Sequence, residues 1–258
     1  MIRVLRDFST GVGLLGRGFR LVFSSPRRLL VGALPALATT VLLTGSMVTL
    51  GIWIDDIAAW VTPFADGWGD SARTVTRFAA GASIITAFVA ISMLLFTALT
   101  LIIGGPFYEY IAEQVEDDLG GVPEAEQVSW WRAAVIGARD AVVLIGIAVL
   151  VAIPLFLAGF IPVVGQTAVP VIAVCVNAWL LGIELTGIPF TRRGKPLKVR
   201  RTVLRRRWAM TLGFAVPTYL LCLVPLAALV VMPAAMAGGT VLAHRLLGEQ
   251  SPQRTTVR

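Results

Sequence analysis

The chain is poor in the residues from which most enzyme sites are built. Among its 258 residues there is one histidine, His244, and there are two cysteines, Cys175 and Cys222. A lone imidazole excludes histidine-clustered zinc or haem sites and argues against a His-based triad. Both cysteines sit inside apolar runs, where a thiol behaves as a small hydrophobe and not as a disulfide or metal ligand. No Gly-x-Ser-x-Gly elbow and no His/Asp metal spacing occurs in the sequence. The expectation is a protein without enzymatic activity, cofactor or metal. Charge is scarce as well: 14% of residues are charged, against about 25% in a typical soluble domain.

What the chain has instead is long uncharged runs, with a mean hydropathy of +0.82. There are 26 uncharged positions between Arg28 and Asp55, 31 between Arg77 and Glu109, 43 between Asp140 and Glu184, and 37 between Arg207 and Arg245. A spanning helix needs roughly 20 apolar residues, so four such runs in so short a chain predict an integral membrane protein. The first 23 residues are too polar for the core of a cleaved signal peptide.

The charges that remain are unevenly placed. Six arginines precede the first run: Arg3, Arg6, Arg17, Arg20, Arg27 and Arg28. Nine basic residues lie from Arg192 to Arg207, and seven of the 15 acids lie from Glu109 to Glu126. Basic segments flanking spans stay on the cytoplasmic side. That rule puts the N-terminal segment and the 192–207 loop in the cytoplasm and the acidic 55–77 loop outside. A nucleic-acid role for 192–207 is set aside, and anionic lipid headgroups are the next reading after orientation.

Periodicity divides the chain further. Leu5, Phe8, Val12, Leu15, Phe19 and Val22 form one helical stripe within 1–28, with arginines on the other side. This predicts an amphipathic helix at the bilayer surface; packing into a protein core is the alternative. Spans are predicted at 29–54 and 78–104. Gly104–Gly105–Pro106 is read as ending the second span and opening an acidic cytoplasmic helix over 105–132. Its Glu109, Glu113 and Glu116 are expected on the surface, facing the arginines of other segments. A hairpin over 136–190 is broken between Ala158 and Pro170 by Gly159, Pro162, Gly165 and Pro170. A second hairpin over 208–244 leaves about 16 residues per leg, short of a crossing, and is read as re-entrant. A tail covers 245–258. The expected fold is an all-α integral membrane protein in one membrane domain, 1–258: two long transmembrane helices plus two helical hairpins, preceded by an interfacial helix.

Proline-broken backbone at membrane depth must be buried in protein or line a water-filled cavity. Gln166, Asn177 and Glu184 are therefore the pore-lining candidates. Asp140 and Glu184 are alternatively paired, with Arg139 or Arg192, at the interface. The segment Ser24–Pro35, SSPRRLLVGALP, is the other candidate. Ser25 suits an N-cap and Pro26 a first helical position. The following amides lack intrahelical partners at the positive end of the helix dipole. Arg27 and Arg28 add forked donors suited to an oxyanion. The competing reading is that both arginines serve orientation alone.

Four motifs resemble one family. They are GGPFYEYIAEQVEDDLGG with Ala112, Glu113, Val115 and Glu116; IPVVGQTAVPV (Ile161–Val171); NAWLLGIELTGIPF (Asn177–Phe190); and PLAALVVMPAAMAGGTVL (Pro225–Leu242). In this order and spacing they resemble the CysZ sulfate permease and etoposide-induced 2.4 family. The resemblance implies two long spans with two partly inserted hairpins and assembly into homo-oligomers. It also implies sulfate uptake across a bacterial cytoplasmic membrane, as a multi-pass protein with both termini cytoplasmic. The family's anion site falls on Ser25, Pro26, Arg27 and Arg28 as substrate-binding residues. The partners implied are sulfate or a similar oxyanion and a bilayer with anionic headgroups; the alternative is a non-transporting membrane scaffold or stress-related factor of the same family.

Overall fold

In hydrocarbon every backbone N–H and C=O must find its partner within the protein, and a helix satisfies them inside one segment. In the computed structural model, which describes residues 2–121 and 130–248, the regular elements are helices throughout. They are α1 Ile2–Phe23, α2 Pro26–Ile52, α3 Ile54–Val61, α4 Asp70–Asp118, α5 Trp130–Gly159, α6 Val164–Leu185, α7 Gly187–Thr191, α8 Leu197–Arg206, α9 Trp208–Cys222 and α10 Pro225–Leu246. By length and composition, 26–52, 70–118, 135–159, 164–185 and 226–246 can each cross a bilayer. The chain is a multi-pass membrane protein.

Residues 33–105 form one compact unit and residues 1–32 with 106–258 form another. In the first, α2 tolerates Pro35, and the buried Thr39 hydroxyl donates to the Pro35 carbonyl at 2.9 Å. The expected loop 55–77 is instead helical in part: α3 and a 3₁₀ turn, Pro63–Ala65, lead into α4. Ala58, Thr62 and Ala65 are buried there, which the alternation of acids and apolar residues concealed. Arg77 pairs with Asp66 at 2.7 Å.

α4 runs unbroken through Gly104–Gly105–Pro106, against the expected break. Proline removes one intrahelical donor and crowds the carbonyl four residues back, but two preceding glycines leave room, and membrane helices absorb such defects. The helix ends at Asp118. Gly120 (φ 113°) and Gly121 (φ 68°) then turn left-handed, and the Gly121 amide caps the Glu116 carbonyl at 3.0 Å. The rest of the expected 105–132 helix is not continuous with it: 122–129 and the tail from 249 lie outside the described residues, and 130–132 already belong to α5.

The first hairpin spans 130–185, and its turn is shorter than expected. Only Phe160–Val163 lie outside the helices, and Pro170 sits inside α6. Val163 takes φ 70° to reverse the chain, and a methyl on Gly165 would fall 2.1 Å from the Gly159 carbonyl oxygen. The second hairpin is asymmetric. α9 has 15 residues, short of a crossing, but α10 has 22 because the turn is only Leu223–Val224. The expected basic loop 192–207 contains a helix, α8, since Arg200 and Leu204 give it a buried side.

α1 docks on α9 and α10. Its buried side is Gly11, Leu14, Leu15, Gly18 and Val22, while Leu5, Phe8 and Val12 of the expected stripe stay exposed. On the α1 side the docking depends on two glycines. A methyl on Gly11 would meet the Met210 carbonyl oxygen at 2.2 Å, and one on Gly18 would meet that of Ala234 at 2.1 Å. Leu14, Phe214, Ala235 and Leu242 belong to the core beneath this contact.

Candidate functional site

The elbow between α1 and α2 is set by local chemistry. The Ser24 amide still donates to Arg20 O at 2.9 Å and the Ser25 amide to Val22 O at 3.2 Å, closing α1. Pro26 then opens α2 at a position where its missing N–H costs nothing. The Leu29 amide donates to Ser25 O at 3.0 Å. Among the described residues no backbone carbonyl accepts from the amides of Arg27 or Arg28. These are the orphan donors of a helix start.

The two guanidiniums diverge. Arg27 is exposed; its Nη2 donates to the Tyr110 hydroxyl at 2.6 Å, and its guanidinium carbon lies 5.7 Å from the centre of that ring. Gln114 Nε2 donates to the same hydroxyl oxygen at 2.8 Å, which holds the tyrosine in place. Arg28 turns inward and is 9% exposed. Its Nη1 donates to Leu21 O at 3.1 Å, its Nη2 pairs with the Asp118 carboxylate, and its Nε is buried without a partner. Asp118 offsets the Arg28 charge, so Arg27 and the two bare amides carry the accessible positive potential. Spacing on the sequence could not separate the two arginines; only the end of α4 does.

The pore-lining candidates all lie on α6. Because this helix continues through Pro170, Gln166, Asn177 and Glu184 fall within about 20° of one another around its axis, spread along roughly 27 Å. All three are exposed. Asn177 Nδ2 donates to Ala173 O at 2.8 Å, and the residue lines a groove of about 740 Å³ between α5 and α6. Glu184 acts electrostatically on Arg200. The expected partners of Asp140 are corrected. It pairs with Arg200 at 2.8 Å, while Arg192 reaches Glu116 at 3.0 Å and Asp117 at 3.2 Å. Burial lowers the Arg200 pKa, opposed by Asp140 and Glu184.

The expected acidic strip is on the surface at two positions; at the third the acid is buried, and there it faces arginines of another segment as expected. Glu109 and Glu113 are exposed, but Glu116 is fully buried. It accepts from Arg192 and from Arg193, and His244 Nε2 lies 3.3 Å away. This joins the ends of α4, α7 and α10, beyond the apolar stretch of α4. Burial pushes the Glu116 carboxyl up, but the His244 hydrogen bond and the Arg193 and Arg192 charges outweigh it and hold the pKa below the ordinary value. The signal was present: Glu116 follows Ala112 by one turn, on the stripe of Tyr108, Ile111 and Val115, all buried.

Residues 14–233 match the family described as sulfate transporter CysZ/etoposide-induced protein 2.4. Over 248 residues the chain is 27% identical to the protein named sulfate transporter CysZ of Salmonella typhimurium strain LT2, covering 90% of this chain and 91% of that one. The protein of the same name from Salmonella enteritidis PT4 is similar to the same extent.

Proposed function

The chain belongs to the sulfate transporter CysZ/etoposide-induced protein 2.4 family, and from that membership we propose that it is a permease or channel-like protein for sulfate or a related oxyanion. The observation that carries the reading is likeness through nearly the full length of both chains to relatives named as sulfate transporters. The elbow at the start of α2 supplies a chemical reason.

Sulfate stays a dianion at neutral pH, so it rewards fixed donors over a titrating base. In this proposal the Arg27 and Arg28 amides meet the anion at the positive end of the α2 dipole. The Arg27 guanidinium closes over it, and the buried Arg28 Nε–H is a further donor at the same helix end. Ser25 and Pro26 shape the elbow. Arg28 acts mainly by holding the elbow against Leu21 and Asp118. Gln166, Asn177 and Glu184 form a polar track along α6 for passage.

The protein is proposed to sit in the bacterial cytoplasmic membrane with both termini inside, as the basic 1–28 and 192–207 segments favour. The exposed Leu5, Phe8 and Val12 of α1 fit contact with the bilayer surface, and α9 is short enough to be re-entrant. None of the apolar stretch of α5 is buried within the chain, leaving that helix for lipid or for further copies in a homo-oligomer.

Uptake of labelled sulfate into proteoliposomes tests the function. Flux above empty vesicles is expected, falling about ten-fold in Arg27→Gln for the loss of one charge-assisted contact worth roughly 1.5 kcal/mol. No flux above empty vesicles removes the transport reading; unchanged flux in the variant removes only the site.

A further inference from the structure

The sequence raised anionic headgroups as a partner of the basic 192–207 segment without assigning a place. α8 provides one. Arg200 and Leu204 form its buried side, and Arg200 is committed to Asp140. On the opposite side Lys198, Arg201, Thr202 and Arg205 form a single stripe at helical spacing. With Trp179 of α6 these residues line a cavity of about 340 Å³. The Thr202 hydroxyl donates to Lys198 O at 2.9 Å, turning its lone pairs from the helix. Of the neighbouring cations, Arg200 pairs with Asp140 and Arg207 with Asp7. Among the described residues Lys198, Arg201 and Arg205 have no carboxylate in ion-pair range.

Three cations around one cavity, without a carboxylate partner among the described residues, attract an anion, and two sources offer the same chemistry: a free oxyanion and a lipid phosphate. Two features favour the lipid. Trp179 is the amphipathic residue of the headgroup level. It lies in the turn of α6 that also gives Val176 and Leu180 to the apolar groove of about 740 Å³ against α5, with Ala148, Ala152 and Phe156 on its other wall. A cationic cavity and an apolar groove served by one helical turn match the two halves of a phospholipid. Apart from Asn177 the groove is lined by apolar residues and glycine, which suits an acyl chain.

We infer that this cavity binds the headgroup of an anionic phospholipid. Lys198, Arg201 and Arg205 contact the phosphate oxygens, Trp179 lies beside the glycerol, and an acyl chain follows the α5–α6 groove. The inference does not depend on the transport reading, and its test does not measure flux.

The purified protein is stripped of lipid, mixed with phosphatidylglycerol or phosphatidylcholine, and assayed by native mass spectrometry for retained lipid. Phosphatidylglycerol retention is expected to exceed that of phosphatidylcholine. Each basic residue near an anionic lipid contributes about five-fold. Lys198→Gln/Arg201→Gln/Arg205→Gln should therefore lower retention roughly a hundred-fold. The charge-matched control Lys195→Gln/Arg206→Gln/Arg245→Gln alters exposed cations outside the cavity and should leave retention unchanged. Arg201→Gln alone, losing about five-fold, keeps the test open if the triple variant does not fold. Equal loss in the control, or equal retention of phosphatidylcholine, overturns the site. Displacement of the lipid by millimolar inorganic phosphate or sulfate overturns the lipid assignment in favour of a free oxyanion.

Discussion

Arg27 and Arg28 are adjacent in the chain, yet one keeps an exposed guanidinium over Tyr110 and the other is buried against Asp118 and Leu21. Their substitutions should therefore separate. Arg27→Gln alters flux with little effect on stability. Arg28→Ala removes a buried cation and its carbonyl contact, and is expected to cost about 2 kcal/mol of stability, less than a fully buried pair because Asp118 is exposed. Thermal unfolding of the two purified variants in detergent distinguishes them. Glu116→Gln is expected to cost more, about 3 kcal/mol, because it leaves Arg192 and Arg193 facing a neutral amide in a buried hub. The sign of its pH dependence follows from the lowered folded pKa. The stabilisation is present above the unfolded carboxyl pKa and is lost as pH falls through the folded one. The wild type should lose stability on acidification over that window, and the glutamine variant should lose less.

At the scale of the elements, the glycines of α1 divide sharply. A side chain at Gly11 or Gly18 would collide with the backbone of α9 or α10, whereas Gly13 and Gly16 face open space. Gly18→Val is expected to undock α1, seen as rapid proteolysis within residues 2–23 under conditions where the wild type is resistant. Gly16→Ala should stabilise by about 0.5–1 kcal/mol through helix propensity alone. The α5–α6 turn gives a third case. Val163 holds φ 70°, unfavourable for a β-branched residue, so Val163→Gly should raise stability by roughly 1 kcal/mol. Thermal unfolding reads both changes. Sequence periodicity located α1 and its amphipathic character. It could not say which of its glycines touch a neighbour, because that depends on residues such as Met210 and Ala234, about two hundred positions away in the chain.

At the scale of the whole molecule, the exposed apolar side chains of α2, α4 and α5, among them Leu37, Met93, Leu94, Val142 and Phe156, have no role in water. They fit lipid or a second copy of the chain. Light scattering in detergent is expected to give a protein mass of at least two chains per particle; a single chain would remove the homo-oligomer proposal.

Length of apolar run and placement of charge, by themselves, determined that this is a helical membrane protein and that a basic helix start follows Ser25. Those properties are local, since hydrocarbon demands intrahelical pairing from every segment whatever its neighbours. Tertiary structure alone decided that Asp118 offsets the Arg28 charge, that Glu116 is buried under two arginines, and that α8 turns three cations, unpaired among the described residues, toward Trp179. Each of these sets charges against groups remote in sequence. Burial and pairing are energies of contact between segments, so no single segment encodes them.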